Sequence, residues 1–530
     1  MKTMQSSLAI ALFFLLSLSG CEQTATSEQI DPSEQTTSAE AVEPVPVKGV
    51  EGAKIEWFGG SVDEAFALAK AENKPVFLYW GAVWCPPCVE IKQTVFKSQQ
   101  FIAQTKLFVP VYLDGDTERA QIYGEKFVTK VYPTMIVFNP AGEEITRLHA
   151  GIDISAYNTV LQLSLDSMRP TSDLVETALE DPASLTESDL QRLAYYSWYD
   201  NEKALPEDTS PELFNTLSRV AAEHSPTISA RFYLQYLVML SGEESAKADP
   251  AQLRAILESP ELMFACWDYL TSYPQPIMAA LDGSEAELES LQNDWATVVK
   301  ENRHDERLST ARQISGWSPY LAFNAQDDQA QALPDEVLAA IREDGRAADE
   351  KTSGAHSRQN VINAVSGIYL NAGLTEDARV LLLAEIEKSK TPYYFMSVLA
   401  YLEEDQGNIP LALEWRKKAY EASEGPATRI RWWARYVQSV VRMAPENSEF
   451  VQQAAMAIFD GSQSLDDAFI GFNFRNIEKT AVALTKWDEE QNPEQSGLAD
   501  FRSGLQALCE KQPAASQELK NCESLLPAEA

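Results

Sequence analysis

Histidine is scarce in this 530-residue chain: there are four, and they do not cluster. His149 is the nearest in sequence to the one close-spaced cysteine pair, and no second short-spaced Cys/His pair exists. A structural zinc site needs about four such ligands, so this shortage excludes it. Basic residues are also few: 43 Lys and Arg face 79 Asp and Glu, a net charge of −36. Such a surface repels a phosphate backbone and excludes nucleic acid as a partner. Beyond the first twenty residues, no run reaches the ~18 consecutive apolar residues that a spanning helix needs. Gly-rich phosphate loops, HExxH and GxSxG are all missing. No cofactor and no metal are expected.

What remains is a chain with 45% apolar and 10% aromatic residues, too long for one ordinary core. Two or three domains are expected. Residues 1–20, "MKTMQSSLAIALFFLLSLSG", carry one lysine and then an apolar stretch from Leu8 to Leu18, the length of a signal-peptide core. Leu18-Ser19-Gly20-Cys21 resembles the bacterial lipobox, which implies that Cys21 becomes an acylated first residue. Two or more acyl chains would anchor the protein stably to a membrane surface. Residues 21–50 have no aromatics and are rich in Thr, Ser, Glu and Pro, the composition of a flexible tether. The expected location is the bacterial cell envelope, on the periplasmic or extracytoplasmic face.

The cysteine pair lies in "GAVWCPPCVEIK", residues 81–92. Before it, "KPVFLYWGA" (74–82) is a near-continuous apolar run of strand length, as in a strand buried on both faces. After it, Val89, Ile91 and Val95 or Phe96 have helical spacing. Cys85 therefore falls at a strand-to-helix turn, where the helix N-terminus favours thiolate over thiol. Cys88, one turn on, is placed to resolve a mixed disulfide. A static disulfide is the alternative, but a Cys-x-x-Cys loop closes too few residues to stabilise a fold much.

Trp84-Cys85-Pro86-Pro87-Cys88 resembles the active-site motif of the thioredoxin superfamily, and the order of elements agrees. Strand 54–59 and helix 61–73 precede it. Helix 98–105, strand 107–114, helix 117–127, strands 134–139 and 144–151 and a helix near 155–168 follow. The stretch "VYPT" places Pro133 at the cis-proline of that superfamily. The resemblance implies that Trp84, Tyr132, Pro133 and Thr134 border an extended substrate. Periplasmic thioredoxin-like reductases and the soluble C-terminal domain of DsbD-type reductases share the "KPV" before the strand. The resemblance covers residues 51–170 and implies an α/β thioredoxin-like domain, a central mixed sheet flanked by helices.

One position departs from the pattern. Thioredoxins carry a buried aspartate six residues before the first cysteine, and here that place holds Tyr79. Glu90 and Lys92 are the candidates for moving the Cys88 proton, with a plain solvated helix face as the alternative. Pro86 and Pro87 have no N–H, so two donors that could hold a Cys85 thiolate are lacking. Cys85 is accordingly expected to titrate nearer 7 than 4, as in a reductant rather than a strong oxidant.

From 171 to 530 the segments are Ala/Leu/Glu-rich, glycine-poor and helically spaced, an all-α region. Gly373 and Gly407 lie 34 residues apart, as do Ala378 and Ala412, so that residues 360–425 resemble tetratricopeptide-type helix pairs. Arrays of this kind offer a surface to a partner. The aromatic clusters "AYYSWYD" (194–200) and "RIRWWARYV" (429–437) are either core or binding stripes. Cys266 reads as a buried small apolar residue, and Cys509 with Cys522 as a structural disulfide whose loop contributes about 3 kcal/mol.

These readings converge on a lipid-anchored thiol–disulfide oxidoreductase. It would reduce client protein disulfides through Cys85 and Cys88 and take its electrons from a membrane reductase. The helical region would bind client or partner. Two alternatives stand: a helical-repeat adaptor lipoprotein whose thioredoxin-like domain is a docking module, and the same enzyme run as oxidant or isomerase.

Overall fold

Strand β1, Val76–Gly81, is the spine of the fold, and each of its six residues is buried. The structure, a computed structural model, describes residues 54–148, 150–242, 247–324, 333–460, 465, 467–491 and 497–526. The signal peptide, Cys21 and the tether lie outside these residues, as does His149. β1 pairs in parallel with β2 (Val109–Asp114) and antiparallel with β3 (Thr134–Phe138), which pairs antiparallel with β4 (Glu144–Leu148). The order β2-β1-β3-β4 makes a four-stranded mixed sheet. Around it lie α1 (Val62–Glu72), α2 (Pro86–Gln93), α3 (Gln99–Thr105), α4 (Glu118–Lys126) and α5 (Ile154–Asp166).

The strand expected over 54–59 does not form. The segment gives one bond to the sheet edge, from Phe58 N–H to the Pro110 carbonyl at 2.7 Å. Pro110 lies in the edge strand β2 and has no N–H to return, so the ladder stops there.

Because successive residues of β1 alternate in facing, the strand contributes to two cores. Val76, Leu78 and Trp80 pack with Ile136, Phe138 and the inner side of α1. Phe77 and Tyr79 belong to a cluster that runs on through Leu174, Trp198, Trp267 and Trp295. Packing is therefore continuous across residue 170, and the helical region is laid directly on the sheet.

Beyond α5 the described residues are helical, apart from one isolated bridge between Ala248 and Leu281. The helices Ala355–Asn371, Thr375–Ile386, Pro392–Asp405, Ile409–Ala422 and Pro426–Met443 pack each against the next, with turns at Gly373 and Gly407. Helix Ala355–Asn371 lies against α2, and helix Gly471–Gln491 bridges Pro426–Met443 and α4. Near the end of the chain, Cys509 and Cys522 are joined by a disulfide. No helix among the described residues is long and apolar enough to cross a membrane.

Candidate functional site

β1 ends at Gly81, and four residues later Cys85 caps the N-terminus of α2 in extended conformation. Pro86 and Pro87 fill the first two helical positions, so the first amide that can turn back on the sulfur is that of Cys88. It does so: Cys88 N–H points at Cys85 Sγ, 3.4 Å away. The Cys85 S–H donates to the Tyr132 carbonyl at 3.4 Å, just ahead of the cis Tyr132–Pro133 peptide. Both thiols are free and buried, Cys85 with 3% and Cys88 with 0% of its surface exposed.

This burial corrects the expected titration of Cys85. The sulfur pair sits in an apolar cluster with Trp84, Tyr393, Trp432 and Trp433, most of it supplied by the helical region. Burial first, then the hydrogen bond and charge shared with Cys88, push the Cys85 thiol well above its ordinary range, while the Arg431 charge pulls the other way. A reading confined to α2 misses this because the desolvating atoms are more than 300 residues away in sequence.

The covering helices are fastened by specific bonds. Trp84 Nε1–H donates to Thr428 Oγ1 at 2.7 Å, and Gln359 Nε2–H donates to the Trp84 carbonyl at 3.0 Å. The Thr428 N–H and hydroxyl both donate to the Asp116 carboxylate, at 2.6 and 2.7 Å. The Trp84 ring meets Trp432 edge-on at 4.8 Å and stacks with Tyr394 at 6.4 Å. Tyr132 stacks on Phe472 at 5.7 Å. The expected substrate-binding side chains Trp84 and Tyr132 are thus covered by the chain's own helices.

Thr134 is likewise occupied: its hydroxyl lies 2.9 Å from the Val131 carbonyl and 2.8 Å from Asp200 Oδ2. Asp200 also accepts from the Lys130 N–H at 3.0 Å and from Arg147 at 3.2 Å. The "AYYSWYD" cluster accordingly divides. Tyr195, Tyr196 and Trp198 are core, and its final aspartate holds the loop that carries Pro133.

Glu90 and Lys92 take different places. Glu90 accepts a hydrogen bond from the Ser309 hydroxyl and lines a cleft of about 320 Å³ with Gln93, Lys351, Ser357 and Asn360. Lys92 Nζ lies 3.2 Å from the Tyr112 hydroxyl and over the Tyr79 ring, 5.8 Å from its centroid. It is among the charges that favour the Cys88 thiolate. Tyr79, in place of the aspartate, is fully buried, stacks on Tyr112 at 5.5 Å, and has no nitrogen or oxygen partner for its hydroxyl. Burial, then the Cys88 and Cys85 charges, hold it well above the usual tyrosine range, so it stays a neutral hydroxyl beside the sulfurs.

Reasoning from the sequence passed over Asp116, Gln359 and Thr428, and met Asp200 and Arg431 only as members of the two aromatic clusters. None has a local motif. Those two clusters were the visible signal, and Trp432 and Trp433 of 429–437 are core.

Residues 56–140 match the thioredoxin-like family. A stretch of 113 residues is 29% identical to the thiol:disulfide interchange protein DsbD of Vibrio vulnificus (strain CMCP6), covering 21% of this chain and 18% of that protein. A solved structure of a DsbH oxidoreductase aligns over 24% of this chain and 95% of its own at 18% identity, with a TM-score of 0.20. The chain thus spans less than a fifth of the curated relative it matches. The segment that carries Cys85 and Cys88 is a thioredoxin-like domain, similar in sequence to thiol–disulfide interchange proteins, and a large helical region follows it.

Proposed function

We propose that this chain is a thiol–disulfide oxidoreductase of the bacterial cell envelope, anchored through Cys21, which reduces client disulfides with Cys85 and Cys88. The supporting observation is the pair itself: two free thiols on one helical turn, with Cys85 at the N-cap and the Cys88 amide aimed at its sulfur. In the reaction, the Cys85 thiolate attacks one sulfur of the client disulfide, and the other sulfur leaves as a thiolate that takes a proton. Cys88, losing its proton, then attacks Cys85. The Cys85–Cys88 disulfide forms, and the second client thiol is released. Two electrons have passed to the client, and a membrane dithiol donor must return them. Residues 51–170 act as the redox unit. Residues 171–530, including the helix pairs of 360–425, select the client and cover the site between turnovers.

Burial of both sulfurs favours a second reading, in which the domain is a docking module held shut by the helices. Equilibrating the full chain in thiol buffers, with mass-spectrometric readout of the pair, separates the two. The expected reduction potential lies near −270 mV, the value of a thioredoxin-like reductant. A value near −120 mV would reverse the direction of electron flow, and failure of the pair to exchange would leave the docking module.

A further inference from the structure

A chain with 79 acidic residues has no difficulty pairing an arginine: three of its buried arginines are paired with carboxylates, and a fourth, Arg192, donates to backbone carbonyls. Arg147 is held by Glu144 and Asp200, Arg231 by Asp268, and Arg358 by Asp349 and Glu385. Arg431 and Arg435, one turn apart on the helix Pro426–Met443, differ. Neither forms a hydrogen bond or ion pair with any described residue. Their guanidiniums are packed on rings instead. Arg431 lies 4.8 Å from the Trp84 ring, 5.5 Å from Phe472 and 5.9 Å from Tyr132. Arg435 lies 5.0 Å from Trp432. Two of these residues border the dithiol: Trp84 adjoins Cys85 in the chain, and the Tyr132 carbonyl accepts the Cys85 hydrogen bond; Phe472 stacks on the Tyr132 ring.

Both side chains are half-buried, and two guanidiniums side by side without a counter-charge repel each other. An anion forming next to them offsets that repulsion. The Asp116 carboxylate of the site is engaged by Thr428. The Cys85 sulfur, next to Trp84 in the chain, is a group there that can ionise, and the Arg431 charge acts on it. On the other side of the dithiol, Pro86 and Pro87 remove two amides that a helix N-terminus would ordinarily offer to a thiolate.

We infer that Arg431, reaching over from the helical region and backed by Arg435, is the cation that stabilises the Cys85 thiolate, replacing the donors that the two prolines remove from α2. It acts on the nucleophile through its charge and does not itself meet the substrate. The inference rests on the proposal that Cys85 is the reacting thiol. The titratable groups facing Cys85 are Cys88 on its own helix, Tyr79 on β1, Tyr132 before β3, Tyr394 on Pro392–Asp405, and Arg431. Lys92 acts through Cys88. Of these, Arg431 is the cation whose charge favours the Cys85 thiolate, and the rest oppose its ionisation or share its proton. The helical region therefore works on the sulfur in two directions, raising it by burial and lowering it by charge.

The test is a pH titration of the full chain, following thiolate ultraviolet absorbance in the reduced protein against the oxidised protein as reference. Cys266 does not interfere, because burial pushes it up to about 12. Arg431→Gln is expected to raise the lower ionisation of the pair by about one to two units, since a nearby opposite charge shifts a group by about that much. Arg431→Lys is expected to restore most of the shift. The reduction potential of Arg431→Gln should also become more negative, because its reduced form has lost thiolate stabilisation. Thr428→Val loosens the same helix and keeps the cation. It is expected to lower the ionisation, by letting water reach the sulfur. An unchanged or lowered ionisation in Arg431→Gln would overturn the inference, since that is the result of opening alone. The titration needs no redox partner. A pair that titrated as expected but failed to exchange would sink the oxidoreductase reading and leave the Arg431–Cys85 coupling standing.

Discussion

Asp116 shows how a single side chain links the dithiol to its cover. It sits in the loop after β2, accepts two hydrogen bonds from Thr428, and is desolvated by the helices that bring Thr428 to it. Burial pushes its carboxyl up to about 6 from an ordinary 3.8, against the Thr428 bonds, which favour the charged form. The folded state therefore holds a proton that the unfolded chain has released between those values. The stabilisation is fully present below about 3.8 and is lost as the pH rises through about 6. Thermal midpoints measured from pH 4 to pH 7 should fall more steeply for the natural chain than for Asp116→Asn, which is neutral throughout. Parallel profiles for the two would remove Asp116 from the account.

At the scale of elements, the helices Pro426–Met443 and Gly471–Gln491 begin where they touch the thioredoxin-like domain, and each contact is made by a glycine at positive φ. Gly425, at φ +90°, backs onto Asp116, where an added Cβ would fall 2.6 Å from the carboxyl carbon. Gly471, at φ +56°, backs onto the Gln121 carbonyl, where a Cβ would fall 2.5 Å away. Backbone and neighbour both forbid a larger residue at these two starts. Gly425→Ala is expected to strain the closed arrangement by about 1–3 kcal/mol. Part of that strain is relieved by lifting the helix. Alkylation of Cys85 by iodoacetamide, which needs the sulfur uncovered, should then speed up by about tenfold or more, because each 1.4 kcal/mol is tenfold in an opening equilibrium. An unchanged rate in a folded variant would mean that the helix start does not control access.

Across the whole molecule, the sheet and the helical region share one core and are joined by buried charge as well. Arg147 on β4 reaches Asp200, and the two side chains are 1% and 2% exposed. Asp200 in turn holds the Lys130 amide and the Thr134 hydroxyl on either side of Pro133. Asp200→Ala should cost about 3 kcal/mol, because it leaves a buried guanidinium short of a partner. The cost is read as a lower urea midpoint, and Asp200→Asn should lose less. A change below about 0.5 kcal/mol, typical of an exposed surface site, would show that Arg147 is satisfied by Glu144 alone.

The order of elements from residue 61 to 168, the N-cap place of Cys85, and the all-α character after 171 follow from the sequence. Each depends on local periodicity and on proline and capping chemistry, which act over a few residues. Where extended structure needed a partner strand, local reading failed: residues 54–59 look like a strand, but Pro110 of the neighbouring edge withholds its N–H. The state of the dithiol was not legible at all. Its desolvation, the arginine beside it and the residues fastening its cover come from Gln359, Thr428, Arg431 and Trp432, brought to Cys85 by packing alone. Burial and charge act through space, so only the tertiary structure decided which of them acts on the sulfur.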